Sequence, residues 1–160
     1  MFEITLLTVG KLKEKYYLSA AAEYEKRLGA YCRFKIIELP ECRLPDSPSA
    51  GEILAGLEKE ADSILLRIPK NAWFCVLTPE GKMLSSEDLA HKMSEVKTNG
   101  KSSACFLIGS SYGIAKRIKE MADYRLSMSP MTFPHHLARV MVLEQIYRAE
   151  SIQAGSKYHK

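Results

Sequence analysis

The sequence lacks any apolar run of the roughly 18 residues that a membrane-spanning helix needs. Its first ten residues carry neither a basic segment nor a long apolar core, so we expect no secretory signal and a cytoplasmic protein. Neither charge sign dominates: 23 Lys and Arg against 19 Asp and Glu give a net charge of +4, compatible with a polyanionic partner but weak evidence for one. No repeat or linker interrupts the chain, and we expect one domain over residues 1–160.

Cysteine pairs are also missing. The four cysteines form no C-x-x-C motif, and no histidine lies at metal-finger spacing from them, so we expect no metal site. Cys75 and Cys105 fall inside apolar runs and are interpreted as buried free thiols. Such thiols are typical of a reducing compartment.

What the chain does contain is a regular alternation of apolar strands and amphipathic helices. The pattern predicts strands at 3–9, 33–39, 72–78, 103–109 and 124–128, with helices ending near 29, 67, 98, 122 and 152. A loop is predicted at 40–51 and a turn at 79–82. Because the third strand is apolar throughout, both of its faces should be covered. We therefore expect an α/β fold, with a mostly parallel sheet and helices on both faces.

Three of the predicted strands end in segments rich in glycine or proline, at 77–81, 108–113 and 128–133. Ligands of parallel sheets bind beyond the carboxyl ends of the strands. The last segment contains Pro130 and precedes Pro134, so its backbone groups belong to neither helix nor strand. Each segment alone is as easily a structural turn, but together they predict a pocket for a flat, polar, adenosine-sized molecule.

The last helix, predicted over 135–152, carries apolar residues on more than one side. A helix of this kind packs against two partners. One should be the sheet and the other a second subunit, although a central helix in a monomer has the same pattern. The helix starts with His135 and His136, which are either a functional pair or a solvated helix start. No convincing Ser/His/Asp order or pair of carboxylates is present.

Basic residues recur near tyrosines in three parts of the chain, around Lys11–Lys15, around Lys116–Lys119 and from Arg139 to Lys160. Lysine and arginine bind phosphates, and aromatic rings stack on unpaired bases, so this combination is typical of proteins that bind structured RNA loops. An ordinary charged surface is the alternative.

Several motifs together resemble one known family. They are Val9-Gly-Lys-Leu-Lys-Glu-Lys-Tyr16, Ala22-Glu-Tyr-Glu-Lys-Arg-Leu28, Glu80-Gly-Lys-Met-Leu-Ser-Ser86, Ile108-Gly109, Met131-Thr-Phe-Pro-His135, Glu144-Gln-Ile-Tyr-Arg-Ala149 and Lys157-Tyr-His-Lys160. They cover the whole chain and resemble the ribosomal RNA large-subunit methyltransferase H (RlmH) family of the SPOUT class.

The resemblance implies a trefoil knot in the C-terminal half, a homodimer, and S-adenosylmethionine as methyl donor. It implies methylation of N3 of a pseudouridine in 23S ribosomal RNA on the assembled ribosome. By position, the residues implied to bind the cofactor are Leu77, Gly109, Met128, Ser129, Pro130, Met131, Thr132 and Phe133. The sequence departs from the family where Ser110 and Ser111 follow Gly109, since a second glycine is common there.

The N3–H group of the base must lose a proton, and a base within hydrogen-bond reach would accept it. Our candidates for that role are His135 and His159, with Tyr158 holding the nucleobase and Arg139 stabilising charge on its carbonyl oxygens. We expect the tail, residues 156–160, to face residues 128–133 of the partner subunit.

Three other interpretations stay open. One is a Rossmann-type enzyme with Glu38 holding a ribose, although no glycine fingerprint follows the first strand. The others are a non-catalytic RNA-binding protein and a methyltransferase that acts on another RNA.

Overall fold

The computed structural model describes all 160 residues, which alternate between strand and helix from one end to the other. The strands are β1 (Glu3–Val9), β2 (Arg33–Leu39), β3 (Ala72–Met83), β4 (Ser103–Ile108) and β5 (Tyr124–Ser127). The helices are α1 (Lys15–Leu28), α2 (Ala50–Leu65), α3 (Ser86–Thr98), α4 (Lys116–Met121) and α5 (His135–Gln153).

The five strands form one sheet in the order β2-β1-β4-β3-β5, and every neighbouring pair is parallel. Strand β4 lies in the middle, and all six of its residues are buried. Because the strands are parallel, their carboxyl ends lie along one edge of the sheet, and the segments that follow them meet there. The predicted α/β fold with a parallel sheet is confirmed.

Each face of the sheet carries its own hydrophobic core, because successive side chains of a strand point to opposite faces. Ile4 and Leu6 of β1 and Phe106 of β4 pack with α1, α3 and α5. Leu7 and Leu107 belong to the other core, with α2 and α4. The prediction of helices on both faces is thus confirmed, and the C-terminal knot stays a prediction.

Strand β3 is longer than its sequence pattern predicts, because the expected turn at 79–82 is an irregularity within the strand. After Leu77 the register with β5 shifts, and Lys82 and Met83 then pair with Leu126 and Ser127. A Cβ atom on Gly81 would lie 2.6 Å from the carbonyl oxygen of Arg125, closer than side-chain carbons approach backbone. Only glycine allows β3 to return to β5 here.

The cysteines are all free, and Cys32, Cys75 and Cys105 are buried, as the apolar runs predict for the latter two. Burial raises the pKa of the Cys32 and Cys105 thiols to about 12, so both are protonated at neutral pH. None of the helices combines the length and the apolarity needed to span a bilayer.

Candidate active site

A cavity of about 560 Å³ opens at the carboxyl edge of the sheet, beyond β3, β4 and β5. Its wall is built from the three segments that follow these strands, together with the start of α5. The convergence predicted from the sequence therefore occurs. The volume is within the range of pockets that enclose a small organic ligand.

Seven of the eight residues implied to bind a cofactor line this cavity: Leu77, Gly109, Met128, Ser129, Met131, Thr132 and Phe133. Pro130 is exposed and does not line it. Met131 also lies at the surface, with 74% of its area exposed. The implied residues therefore come together at one place, with Pro130 on the outside of the segment.

The segment between β5 and α5 leaves most of its backbone polar groups without partners in the chain. Residues 129–133 make no backbone–backbone hydrogen bond, and their backbone bonds to side chains are Met131 N to Ser129 Oγ, at 3.0 Å, and Ser127 Oγ to Ser129 O, at 3.1 Å. Met131 and Thr132 are exposed and line the cavity, so a bound polar molecule can replace water at their backbone groups.

The segment after β4 folds tightly on itself. Gly113 N donates to Ser110 O at 2.9 Å, and the two residues form an isolated bridge. A Cβ atom on Gly109 would lie 2.4 Å from Gly113 O and 2.5 Å from Ile114 Cγ1, so no side chain fits there. Gly109 is therefore required by the chain's own packing next to the cavity.

His135 is the one predicted catalytic residue that lines the cavity, where it begins α5. Burial lowers the pKa of its imidazole, and neighbouring His136 and Arg139 lower it further, against the opposing effect of Glu41 and Glu14. An imidazole with a lowered pKa is neutral at pH 7 and can accept a proton. His135 can thus act as a base at the cavity wall.

Arg139 lies one turn further along α5 and does not line the cavity. Only 2% of its surface is exposed. Its Nη1 donates to Glu38 Oε2 at 2.6 Å, and its Nη2 donates to Gly10 O at 2.9 Å. Glu38 also accepts from Leu12 N. These bonds tie α5 to the ends of β1 and β2, and they occupy the carboxylate that a Rossmann-type site would need for a ribose.

Tyr158 and His159 also lie outside the cavity of their own chain, because the tail folds back on α5. The ring of Tyr158 lies 4.7 Å from the Tyr147 ring, centre to centre, and the Arg148 guanidinium lies 4.8 Å from the Tyr158 ring centre. His159 Nδ1 is 3.0 Å from Arg148 Nη1 and its Nε2 is 2.7 Å from Glu87 Oε1. Since arginine only donates, Nδ1 accepts and Nε2–H donates to Glu87.

Thr78 belongs to the predicted segment 77–81 and lines the cavity, whereas Lys119 lines it from outside the three predicted segments. Lys119 was assigned to a general basic cluster, but it forms an ion pair with Glu80 at 2.5 Å. Hydrogen bonds from Lys119, from Thr78 and from its own backbone together lower the pKa of Glu80 to about 2.

No group of three or more His, Cys, Asp or Glu side chains is arranged to hold a metal ion. The cavity offers three chemical features. It has backbone groups without partners on one side, a neutral imidazole at its wall and apolar side chains around it.

Comparison with known proteins adds an independent finding. The family model described as "Predicted SPOUT methyltransferase" matches residues 2–159. Among solved structures, the chain is similar to a methylase family protein from Haemophilus influenzae Rd KW20, at 13% identity and a TM-score of 0.50, over 99% of this chain and 70% of that one. It is also similar to a methylase family protein from Neisseria gonorrhoeae, at 14% identity and a TM-score of 0.53, over 90% and 81%. At these identities the two structures support the fold alone.

Proposed function

The chain belongs to the SPOUT methyltransferase family, and from that premise we propose that it methylates N3 of a pseudouridine in 23S ribosomal RNA, with S-adenosylmethionine as donor. The observation that carries the proposal is the cavity of about 560 Å³ that all three strand-end segments line. The motifs from Val9 to Lys160 that resemble the RlmH family supply the choice of substrate.

The residues of the cavity fit the proposed cofactor. Adenosine offers a flat ring with polar edges, and the free backbone groups of residues 129–133 can bond to such edges. Leu77, Leu126 and Met128 provide apolar contacts for the ring faces. When bound, S-adenosylmethionine supplies a methyl group that is already activated by its sulfonium. The protein's remaining task is to position the acceptor and remove its proton.

We assign proton removal to His135, the neutral imidazole at the cavity wall. N3 of a pseudouridine is an imide nitrogen and becomes nucleophilic once its proton has left. A base with a pKa near or below the working pH can accept this proton and stay available for the next cycle. Roles for Tyr158 and His159 require the tail to reach a second subunit's cavity, because neither side chain reaches the cavity of its own chain.

Transfer of a labelled methyl group to ribosomes tests this function directly. Ribosomes that lack the modification should accept about one methyl group per 23S RNA, mapped to a pseudouridine, whereas ribosomes with uridine at that position should accept far less. Labelling of another RNA would show that the proposed substrate is wrong and that the protein is still an RNA methyltransferase. Absence of both transfer and S-adenosylmethionine binding would refute the proposal and favour a non-catalytic RNA-binding protein.

The surface proposed to meet the RNA is the segment between β1 and α1. Lys11, Lys13 and Lys15 are exposed, and none of them has an ion-pair partner within 4.0 Å. The basic cluster at Lys116–Lys119 differs, since Lys116 pairs with Glu120, Arg117 with Glu58 and Asp62, and Lys119 with Glu80. The segment follows the carboxyl end of β1, and Gly10 lies next to His135 of the cavity wall. Its free charges are therefore available to phosphates near the cavity.

Replacing Lys11, Lys13 and Lys15 with glutamine should weaken methyl transfer to ribosomes and leave S-adenosylmethionine affinity unchanged. Each lost phosphate contact lowers the slope of log K against log salt by about 0.7–0.9, so we expect a decrease of about 2–3. The matched control is the double variant Lys116→Gln and Arg117→Gln, whose charges are already neutralised. Equal effects in both variants would show that only net charge matters.

The proposed homodimer has a specific surface on α5. Leu137, Val140 and Met141 share one side of the helix, are partly exposed, and belong to neither core of the chain. Val142, by contrast, is buried in its own subunit. Apolar groups left outside the core at helical spacing are typical of a helix that packs against a second copy. We propose that these three residues form the centre of the dimer contact.

A further inference from the structure

A buried carboxylate lies behind the cavity, outside its wall, and has no role in the proposed reaction. Glu60 belongs to α2 and only 6% of its surface is exposed. It occupies the apolar face of the helix, one residue before Ala61 and one turn before Ile64. Glutamate is rarely buried unless its oxygens have partners, so its contacts explain its position.

Both carboxylate oxygens accept hydrogen bonds from segments that follow strands. Ser110 Oγ donates to Oε1 at 2.9 Å, and both partners are buried. Cys42 N donates to Oε2, also at 2.9 Å. One side chain of α2 thus joins the segment after β2 to the segment after β4. Ser110 is itself part of the cavity wall, next to Gly109.

The segment 109–113 has one other side-chain bond to the rest of the protein. Ser111 Oγ donates to Glu41 Oε1, but this contact is exposed and longer, at 3.3 Å. Within the segment, the bridge between Ser110 and Gly113 fixes its shape, and the absence of space at Gly109 keeps it closed. The segment leaves β4 at Ile108 and continues into the buried Ile114 and Ala115, and between these points its one buried side-chain anchor is the bond between Ser110 and Glu60.

We propose that Glu60 is a positioning residue that acts through Ser110, holding the segment 109–113 against α2 so that the cavity is already formed before its ligand binds. Identification of that ligand as S-adenosylmethionine rests on the function proposed above. A pocket that is formed in advance binds more tightly, because no ordering cost is incurred on binding. The contribution of Glu60 should therefore appear in cofactor affinity and much less in the rate of the chemical step.

The charge state of Glu60 should control this contact. The ionised carboxylate accepts from both partners, and the protonated form can donate to Ser110 Oγ, which is also an acceptor, while it still accepts from Cys42 N. Burial raises the pKa of Glu60, the bonds from Cys42 and Ser110 lower it, and nearby Glu41 raises it. The Cys42 thiol and the Tyr112 phenol also border the small void around it. Because the pKa of buried Glu60 is raised, the anchored arrangement is favoured at low pH and is weakened as the pH rises through that pKa.

Three substitutions separate positioning from a general effect on folding. Ser110→Ala removes the hydroxyl and leaves the bond from Cys42 to the carboxylate. Glu60→Gln keeps an acceptor for Cys42 N, and its amide N–H can donate to Ser110 Oγ, but it cannot titrate. Glu60→Ala removes both contacts. Ser111→Ala is the matched control, since it deletes a hydroxyl from the same part of the cavity wall, and that hydroxyl makes only an exposed bond.

Calorimetric titration with S-adenosylmethionine should show a Kd increased about tenfold in Ser110→Ala, equivalent to about 1.4 kcal/mol, and at most twofold in Ser111→Ala. In the methyl-transfer assay the increase should appear in KM for the cofactor, with kcat nearly unchanged. The wild-type Kd should fall as the pH falls from about 8 to about 5, because protonation of Glu60 favours the anchored arrangement. Glu60→Gln should bind within threefold of the wild type at neutral pH, with that pH dependence much reduced.

Amide hydrogen exchange of the ligand-free protein gives a second measurement that does not depend on the cofactor. Exchange at residues 110–114 should be faster in Ser110→Ala and Glu60→Ala than in Ser111→Ala, while β1 and β4 stay protected. Wild-type protein that binds no S-adenosylmethionine would refute the proposed function. In that case hydrogen exchange at residues 110–114 would still test the contact between Glu60 and Ser110. If Ser110→Ala matched Ser111→Ala in both Kd and exchange, or if Glu60→Gln kept the full pH dependence, the positioning role of Glu60 would be wrong.

Discussion

Replacing Gly109 with alanine is expected to weaken S-adenosylmethionine binding by about 10- to 100-fold, equivalent to about 1.4–2.8 kcal/mol. The physical reason is internal crowding. The added Cβ atom would lie 2.4 Å from Gly113 O and 2.5 Å from Ile114 Cγ1, so the segment after β4 has to move. That segment lines the cavity, and its displacement changes the shape that the cofactor meets.

The measurement is calorimetric titration with the cofactor, next to a melting curve that confirms folding. Gly51→Ala is the matched control, because a Cβ atom there meets only Ser49 Oγ, at 3.9 Å, at the start of α2. The control should bind as the wild type does. Wild-type affinity in Gly109→Ala would mean that the cofactor lies elsewhere, because the crowding next to this cavity cannot be avoided.

The strand pattern could be predicted because burial on both faces selects apolar runs in the inner strands, while the edge strand β2 keeps Arg33, Lys35 and Glu38 exposed. The ends of β1 and β2 are as predicted, at Glu3–Val9 and Arg33–Leu39. The end of β3 could not be predicted, because it depends on pairing of Lys82 and Met83 with β5, more than 40 residues away. Local residue types indicate a turn at Pro79–Gly81, and long-range pairing overrides them.

The cavity was predictable for a topological reason. Segments that follow parallel strands share one edge of the sheet, so three glycine- or proline-rich segments had to meet if the strands were neighbours. The charges were not predictable in the same way. Arg139 was expected to face a substrate, but it bonds to Glu38 and does not line the cavity. Because Glu38 lies 101 residues away in sequence, no local pattern could have indicated this pair. One feature of the sequence could have indicated Glu60: it places a carboxylate on the apolar face of α2, and burial of a carboxylate is costly unless it is paired.

Deletion of the tail is expected to have the largest effect on methyl transfer. Residues 156–160 contain Tyr158 and His159, which the structure places against α5 and α3 of their own chain and outside its cavity. If two copies pack through Leu137, Val140 and Met141, the tail of one copy can face the cavity of the other. Deleting the tail should then reduce methyl transfer to ribosomes by several orders of magnitude, because a positioned base and nucleobase contact would both be lost.

Folding and cofactor binding should largely survive this deletion. The tail contributes the Tyr147–Tyr158 ring contact and the bonds of His159, but no residue of either core. A loss of about 1 kcal/mol corresponds to a decrease in Tm of about 2–4 °C for a chain of this size. Light scattering should give twice the chain mass of 18.0 kDa for both the wild type and the deleted chain. A monomeric wild type would remove the basis of a shared site.

Mixing two impaired chains decides between a shared site and a site within one chain, when activity is measured at an S-adenosylmethionine concentration that saturates the wild-type cavity and leaves the Gly109→Ala cavity almost empty. One chain lacks residues 156–160 and keeps its cavity, and the other carries Gly109→Ala and keeps its tail. In a mixed dimer, a shared arrangement combines the intact cavity of one chain with the intact tail of the other, so random exchange should restore about a quarter of the wild-type activity. If each tail serves its own cavity, no mixed dimer contains a complete site and mixing restores nothing. Wild-type activity of the deleted chain alone would show that the tail has no part in the reaction.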